Sequence, residues 1–144
     1  MGGAIAWAET EAEAEACFEV VHELRPELTL PEFLRRVALQ RAEGYRLVRL
    51  DDSGVVRAIA GYRLLHNLAW GRFLYVDDLV TRSVDHSMGY GRELFGWLIA
   101  QAKAEGCARL ELDSGVQRFG AHRFYLGQRM DITCHHFGLR VGAN

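Results

Sequence analysis

In the first third of the chain, apolar residues recur at helical spacing. Ala16, Cys17, Val20, Val21 and Leu24 share one face, which predicts a helix over about 11–24. Thr10 and Glu13 form a capping-box pattern at its start, and Arg25-Pro26 ends it. Thr29 and Glu32 repeat the pattern, with Pro31 in the first turn. Phe33, Leu34, Val37 and Ala38 then make the stripe of a second helix that stops at Gly44. Residues 3–8 read as a short first strand. From Tyr45 the period changes to two. Strands are predicted over 45–50, 55–65 and 72–81, with a turn at Asp51–Gly54 and a loop at His66–Gly71. A helix follows Gly91 and stops at Gly106. A half-buried strand covers 108–112, a short helix 118–127 and a final strand 130–141. The order is β-α-α-β-β-β-α-β-α-β. Its one crossover makes the strands at 72–81 and 108–112 parallel neighbours.

Length and composition fit one globular domain over residues 1–144: 49% of residues are hydrophobic and 25% charged. A net charge of −2 and the lack of a basic arm give no case for nucleic-acid binding. No run of 18 apolar residues is present, and the acid-rich start does not read as a signal peptide, so no membrane association is expected. Cys17, Cys107 and Cys134 form no Cys-x-x-Cys pair, and three is odd for a disulfide framework. Reduced, mostly buried thiols in a cytoplasmic protein are expected.

The stretch from Leu74 to Leu98 organises the chain. It begins as a strand, ends as a helix, and closes the loop between them with Gly89-Tyr90-Gly91. A glycine turn feeding a helix N-terminus aims unpaired N–H groups and a favourable dipole at an anion. Taken alone, Gly89-x-Gly91 is equally consistent with simple chain reversal. It is not a dinucleotide fingerprint, since position 94 is Leu, and no Walker A sequence is present.

The hexapeptide His86-Ser87-Met88-Gly89-Tyr90-Gly91 resembles the acetyl-CoA-binding motif [RQ]-x-x-G-x-[GA] of the GNAT (GCN5-related) N-acetyltransferase superfamily. Ala121-His122-Arg123-Phe124-Tyr125 resembles that family's A-x-x-F-Y element. The element order matches too. The resemblance covers the whole chain and is strongest over 74–128. It implies an α/β (α+β) GNAT fold: a mixed, mostly antiparallel sheet with helices on both faces. It also implies acetyl-CoA as cosubstrate. The N–H groups of residues 87–92 (Ser87, Met88, Gly89, Tyr90, Gly91, Arg92) would take the diphosphate, with His86, Arg82 and Arg92 balancing its charge. The backbone of Leu79, Val80 and Thr81 would pair with the pantetheine amides like an added strand, where the central strand splays from its parallel neighbour. His86 replaces the usual Arg or Gln and would donate more strongly when protonated, which would make CoA affinity depend on pH. Arg118 stands where the family often has Asn; it is either a cationic contact to CoA or a surface arginine.

Acetyl transfer to an amine needs a base, because an alkylammonium loses its proton only near pH ~10. Asp77 and Asp78 lie just before the pantetheine contact, and Asp77 resembles the carboxylate some members use. Adjacent strand residues face opposite sides, so only one reaches a given cavity unless a bulge intervenes. The alternative is that both are structural partners of arginines. An N–H near Val80 is the candidate oxyanion donor. Tyr125 fits the family's general acid for the departing thiolate; otherwise its ring belongs to the core. His135 and His136 face opposite ways and cannot share a metal, so no metal site is expected. His122, three residues before Tyr125, is more simply structural, and Cys134 is expected to be a packed thiol.

The expected acceptor is a primary amine of a small molecule or peptide. The N-terminal helices and the loop at 24–30 would wall its site. The acidic residues mildly favour a cationic one. Tyr62, Trp70 and Tyr75 would line such a site or belong to the core. The rival class is a non-catalytic acyl-CoA-binding or sensing module. Family members are often dimers with the final strand near the interface, and the sequence alone leaves a homodimer undecided.

Overall fold

The computed structural model describes residues 3–143, which fall into two compact units divided between Leu112 and Asp113. The first unit is a five-stranded sheet in sequential order: β1 (Ala4–Trp7), β2 (Arg46–Asp52), β3 (Val55–Asn67), β4 (Gly71–Thr81) and β5 (Arg109–Leu112). The first three pairings are antiparallel. The crossover through α4 (Tyr90–Ala104) makes β4 and β5 parallel, as expected.

Alternation along β2 and β3 builds two cores. Leu47 and Ile59 join Ala14 of α1 (Glu11–Glu15), Cys17 at the junction, Val20 and Val21 of α2 (Phe18–Leu24), and Phe33 and Val37 of α3 (Leu30–Ala42). Val48, Leu50, Ala58, Ala60 and Tyr62 face the other way, where α4 packs on β3, β4 and β5 with Leu94, Phe95 and Leu98 buried.

The helix expected over 11–24 is two helices. The Cys17 N–H bonds three residues back, to the Ala14 carbonyl, and the helix restarts with Val21 bonding to Cys17. Apolar positions 14, 17 and 20 are spaced by threes, and this tighter turn keeps them all on the core. Burial pushes the Cys17 thiol up to about 12, so it serves as packing. The turn expected at 51–54 narrows to Ser53-Gly54, both with positive φ, a two-residue hairpin suited to the strand twist. The loop expected at 66–71 shrinks to residues 68–70, because the β3–β4 ladder runs on to Asn67↔Gly71.

The second unit holds α5 (Phe119–Gly127) and then an irregular segment. The strand expected over 130–141 does not form within the chain. A strand needs a neighbour for its N–H and C=O groups, and the sheet contains only β1–β5. Cys134 is exposed and Cys107 half-buried, so the expectation of mostly buried thiols holds only for Cys17.

Candidate active site

The β3–β4 ladder pairs Gly61 with Asp78 but Tyr62 with Val76, so Asp77 is an extra residue on β4. This bulge suspends strict alternation, and Asp77 and Asp78 line the same cavity. That cavity, about 430 Å³, lies between α2, α3 and the middle of β4. Its walls include Arg25, Glu27 and Leu28 from the α2–α3 loop, Phe33, Arg36 and Glu43 along α3, and Tyr45. The α2–α3 loop and α3 thus line this cavity together with β4.

Each carboxylate is held. Arg63 grips Asp77 through two hydrogen bonds, Nε to Oδ2 at 2.9 Å and Nη2 to Oδ1 at 2.8 Å. Arg25 donates to Asp78 Oδ1 from Nε (3.3 Å) and Nη2 (3.0 Å), and from Nη2 to the Asp77 carbonyl at 3.2 Å. The Tyr45 hydroxyl donates to Asp78 Oδ2 at 2.8 Å. Burial pushes the Asp77 carboxyl above the ordinary carboxylate range, with Arg63 pulling against it and Asp78 adding to the rise. Burial and the adjacent Asp78 charge raise the Tyr45 phenol well above its usual value, so it stays a donor. Tyr62, Trp70 and Tyr75 do not line this cavity. Tyr62 is buried in the α4-side core and accepts a 3.0 Å bond from the Trp7 indole. Trp70 stacks edge-on against Phe73, and Arg63 lies over Tyr75.

Beyond the bulge, β4 has a strand on one side only. The β5 ladder ends at Val76↔Leu112, while β3 continues beside β4 to Thr81. Leu79, Val80 and Thr81 therefore lie along an open edge. The Arg82 N–H bonds to the Arg57 carbonyl of β3 at 2.9 Å. Alternation from there turns the Val80 N–H toward β3 as well and leaves the N–H and C=O groups of Leu79 and Thr81 facing outward. This corrects the expectation for Val80: its amide belongs to the ladder, and the outward donors are its neighbours.

The turn after β4 is built on Asp85, which sequence reasoning passed over. This buried carboxylate accepts from Arg82 Nε at 2.6 Å and Arg57 Nη1 at 3.2 Å. Its pKa is lowered, chiefly by the Arg82 hydrogen bond. The Arg57 guanidinium also lies over the Tyr90 ring, whose hydroxyl donates to Asp52 Oδ2 at 2.7 Å. Tyr90 is thus packed inward, and only its backbone remains for an anion. Ser87 and Gly89 adopt left-handed backbone, with φ of 73° and 88°. The first helical bond runs from the Glu93 N–H to the Gly89 carbonyl. Among the described residues, the N–H groups of Ser87, Gly89, Tyr90, Gly91 and Arg92 find no acceptor, whereas Met88 donates to the Asp85 carbonyl at 3.3 Å. This removes Met88 from the expected set of free donors. Arg82 is spent on Asp85, which leaves Arg92 as the free guanidinium of the turn, with His86 beside it. The His86 Nε2 lies 3.3 Å from the Thr81 carbonyl and must carry the proton to bond it. The spacing Arg82-x-x-Asp85 was the one available signal for this brace.

Within the second unit, Arg118 stands at the N-terminus of α5 and Tyr125 in its last turns. Burial raises the Tyr125 phenol pKa, and the charge and hydrogen bond of Arg118 oppose that rise. Arg118 is half-buried, and its charge acts on the Tyr125 phenol. His122 Nε2 lies 2.8 Å from the Gly115 carbonyl, which fits the structural role expected for it. Among the described residues no group of three or more His, Cys, Asp or Glu could hold a metal.

Residues 7–128 match the model of the acetyltransferase (GNAT) family. The chain belongs to that family. It is 34% identical over 120 residues to the uncharacterised N-acetyltransferase YhdJ of Bacillus subtilis, a match covering 83% of this chain and 80% of that protein. Among solved structures, it resembles the aminoglycoside N-acetyltransferase AAC(6')-Iy bound to CoA. That match has a TM-score of 0.83 at 12% identity and covers 97% of this chain and 96% of the other. Glucosamine-6-phosphate N-acetyltransferase from Arabidopsis thaliana matches with a TM-score of 0.77 at 19% identity, covering 99% and 100%. At these identities the structural matches speak for the fold. Family membership and the curated relative make this GNAT chain an acetyl-CoA-dependent acetyltransferase.

Proposed function

We propose that this GNAT protein transfers the acetyl group of acetyl-CoA to a primary amine of a small molecule or peptide. The cavity that holds both Asp77 and Asp78 would receive the acceptor. The observation that carries this reading is the bulge at Asp77, which turns two neighbouring carboxylates toward one space. Four carboxylates (Glu27, Glu43, Asp77, Asp78) against two guanidinium groups (Arg25, Arg36) on its walls favour a cationic acceptor.

In this reading the free N–H groups of Ser87, Gly89, Tyr90, Gly91 and Arg92 hold the CoA diphosphate, with Arg92 and His86 supplying positive charge. The outward groups of Leu79 and Thr81 pair with the pantetheine amides, and one outward N–H steadies charge on the thioester oxygen. Asp77, with its raised pKa, takes the proton from the incoming amine. Asp78, fixed by Arg25 and Tyr45, orients the acceptor. Tyr125 gives a proton to the departing thiolate, and Arg118 sets the direction of its hydroxyl. The three unpaired cysteines fit a reducing, cytoplasmic setting. Residues 1–144 act as one domain.

A thiol-release screen with acetyl-CoA over a panel of amines tests this reading. Turnover with a polyamine, an aminoglycoside or a lysine peptide supports a primary-amine acceptor, and tight acetyl-CoA binding without turnover on any of them overturns it.

A further inference from the structure

Asp77 and Asp78 meet their arginines in different ways. Arg63, on β3, covers both oxygens of Asp77 with a parallel fork at 2.9 and 2.8 Å. Arg25 places both of its bonds to Asp78 on one oxygen, Oδ1, at 3.3 and 3.0 Å. The other oxygen belongs to the buried Tyr45. Arg25 is also the residue at which α2 ends, and its side chain is 42% exposed against 17% for Asp78. An ion pair with one partner so exposed adds little net stability, because water solvates the released guanidinium well.

One nitrogen of Arg25 does most of the bonding. Nη2 reaches Asp78 Oδ1 at 3.0 Å and the Asp77 carbonyl at 3.2 Å. A carboxylate oxygen and a carbonyl oxygen thus converge on a single point in the cavity wall. An alkylammonium nitrogen carries three N–H donors, so at that point it would make the same two bonds. The chain's own guanidinium therefore marks a cation subsite. Its occupant comes from the start of a loop, whereas the arginine of Asp77 comes from within the sheet. The walls around the subsite also carry Glu27 and Glu43, both exposed and in no ion pair among the described residues, while Arg36 pairs with Glu32 at 3.4 Å.

We propose that a second cationic nitrogen of the acceptor displaces Arg25 Nη2 from Asp78 Oδ1 and the Asp77 carbonyl, which makes the acceptor class a diamine. This rests on the reading of the cavity as the acceptor site. Tyr45 keeps Asp78 Oδ2 throughout, so the carboxylate stays aimed while its cation is exchanged. One ion pair replaces another at the same place, and Arg25 returns to water. Arg25 is then a specificity-determining residue. A monoamine spends its only nitrogen at the thioester and finds this corner of the cavity still filled.

Calorimetric titration of the CoA-loaded protein with α,ω-diamines of three to five carbons, and with monoamines of matching length, tests this without requiring turnover. At least one diamine should bind the native protein roughly tenfold more tightly than its monoamine, the scale of an added charge-assisted bond. Arg25→Ala should tighten that diamine by roughly 2- to 5-fold, the scale of an exposed ion pair, and move the monoamine less than that. Asp78→Asn should erase the difference between the two amines. Equal binding of every diamine and its monoamine by the native protein overturns the proposal. So does weaker diamine binding in Arg25→Ala, the result if Arg25 only braces Asp78. Equal tightening of both amines also overturns it, since a change in field alone would do that. If Asp78→Asn fails to fold, the native and Arg25→Ala titrations decide. A thiol-release assay with the same amines separates the two readings. The binding pattern without turnover strikes the acceptor reading and leaves the cation subsite, whereas turnover of diamines and monoamines at equal kcat/KM keeps the acceptor reading and strikes the subsite.

Discussion

The Tyr45 hydroxyl donates a 2.8 Å hydrogen bond to Asp78, and the ring reaches it by lying across Gly61, the residue opposite Asp78 on β3. A Cβ at position 61 would run into the Tyr45 ring and hydroxyl. The glycine is therefore what lets a buried phenol cross the sheet and fix a carboxylate at the cavity. Gly61→Ala should destabilise the protein by about 1–3 kcal/mol through overpacking. It should also raise KM for the acceptor more than it lowers kcat. Denaturant titration and steady-state kinetics would check both.

Asp77→Asn should lower kcat by roughly 10²-fold or more, the scale of a lost general base. Because the folded-state pKa is raised, the basic form disappears at a higher pH than an ordinary carboxylate would set. The acid limb of kcat/KM should sit correspondingly high and vanish in the variant. The same shift means that the native state binds the proton more tightly than the unfolded chain does. Through this group, stability falls as pH rises from the unfolded value, about 3.9, to the folded one. A native pH–rate profile with no limb above the ordinary carboxylate range would remove Asp77 as base.

Asp85→Asn should loosen the turn that presents the free N–H groups, because Arg82 and Arg57 lose their shared anion. CoA should bind roughly tenfold more weakly, the scale of a lost charge-assisted bond. The lowered pKa of Asp85 gives the opposite sign to Asp77. Its contribution to stability is present above the unfolded carboxylate value and is lost as pH falls through the depressed one. Calorimetric titration of CoA and acid unfolding of both proteins would read this.

His86→Arg should tighten CoA about 3- to 10-fold, since a guanidinium offers a permanent charge and several donors to a diphosphate. Equal CoA affinity in both proteins would take His86 out of the anion site.

Tyr125→Phe should reduce kcat by roughly 10²-fold while leaving the CoA dissociation constant nearly unchanged. Burial raises the phenol pKa, so the proton is retained through neutral and mildly alkaline pH. The alkaline limb of kcat should therefore lie above about 10 and be absent in the variant. An unchanged kcat would exclude Tyr125 from the reaction.

The sequence by itself determined most of the elements and the family, because those depend on local pattern. Capping pairs at Thr10 and Thr29, the period change at Tyr45 and the Gly89-x-Gly91 turn each act within a few residues. The motifs over 86–91 and 121–125 likewise required no knowledge of distant contacts. The tertiary structure alone decided which groups meet. The bulge that turns Asp77 toward the side of Asp78 arises from ladder register between β3 and β4, and register depends on pairing across the sheet. Arg25 and Tyr45 reach Asp78 from 53 and 33 residues away, and Arg57 reaches Asp85 from 28, separations at which no periodicity signals contact. The segment 130–141 marks the same boundary from the other side. Its pattern specifies a strand, but a strand exists only where a neighbouring backbone accepts its hydrogen bonds, and the segment adopts no regular structure here.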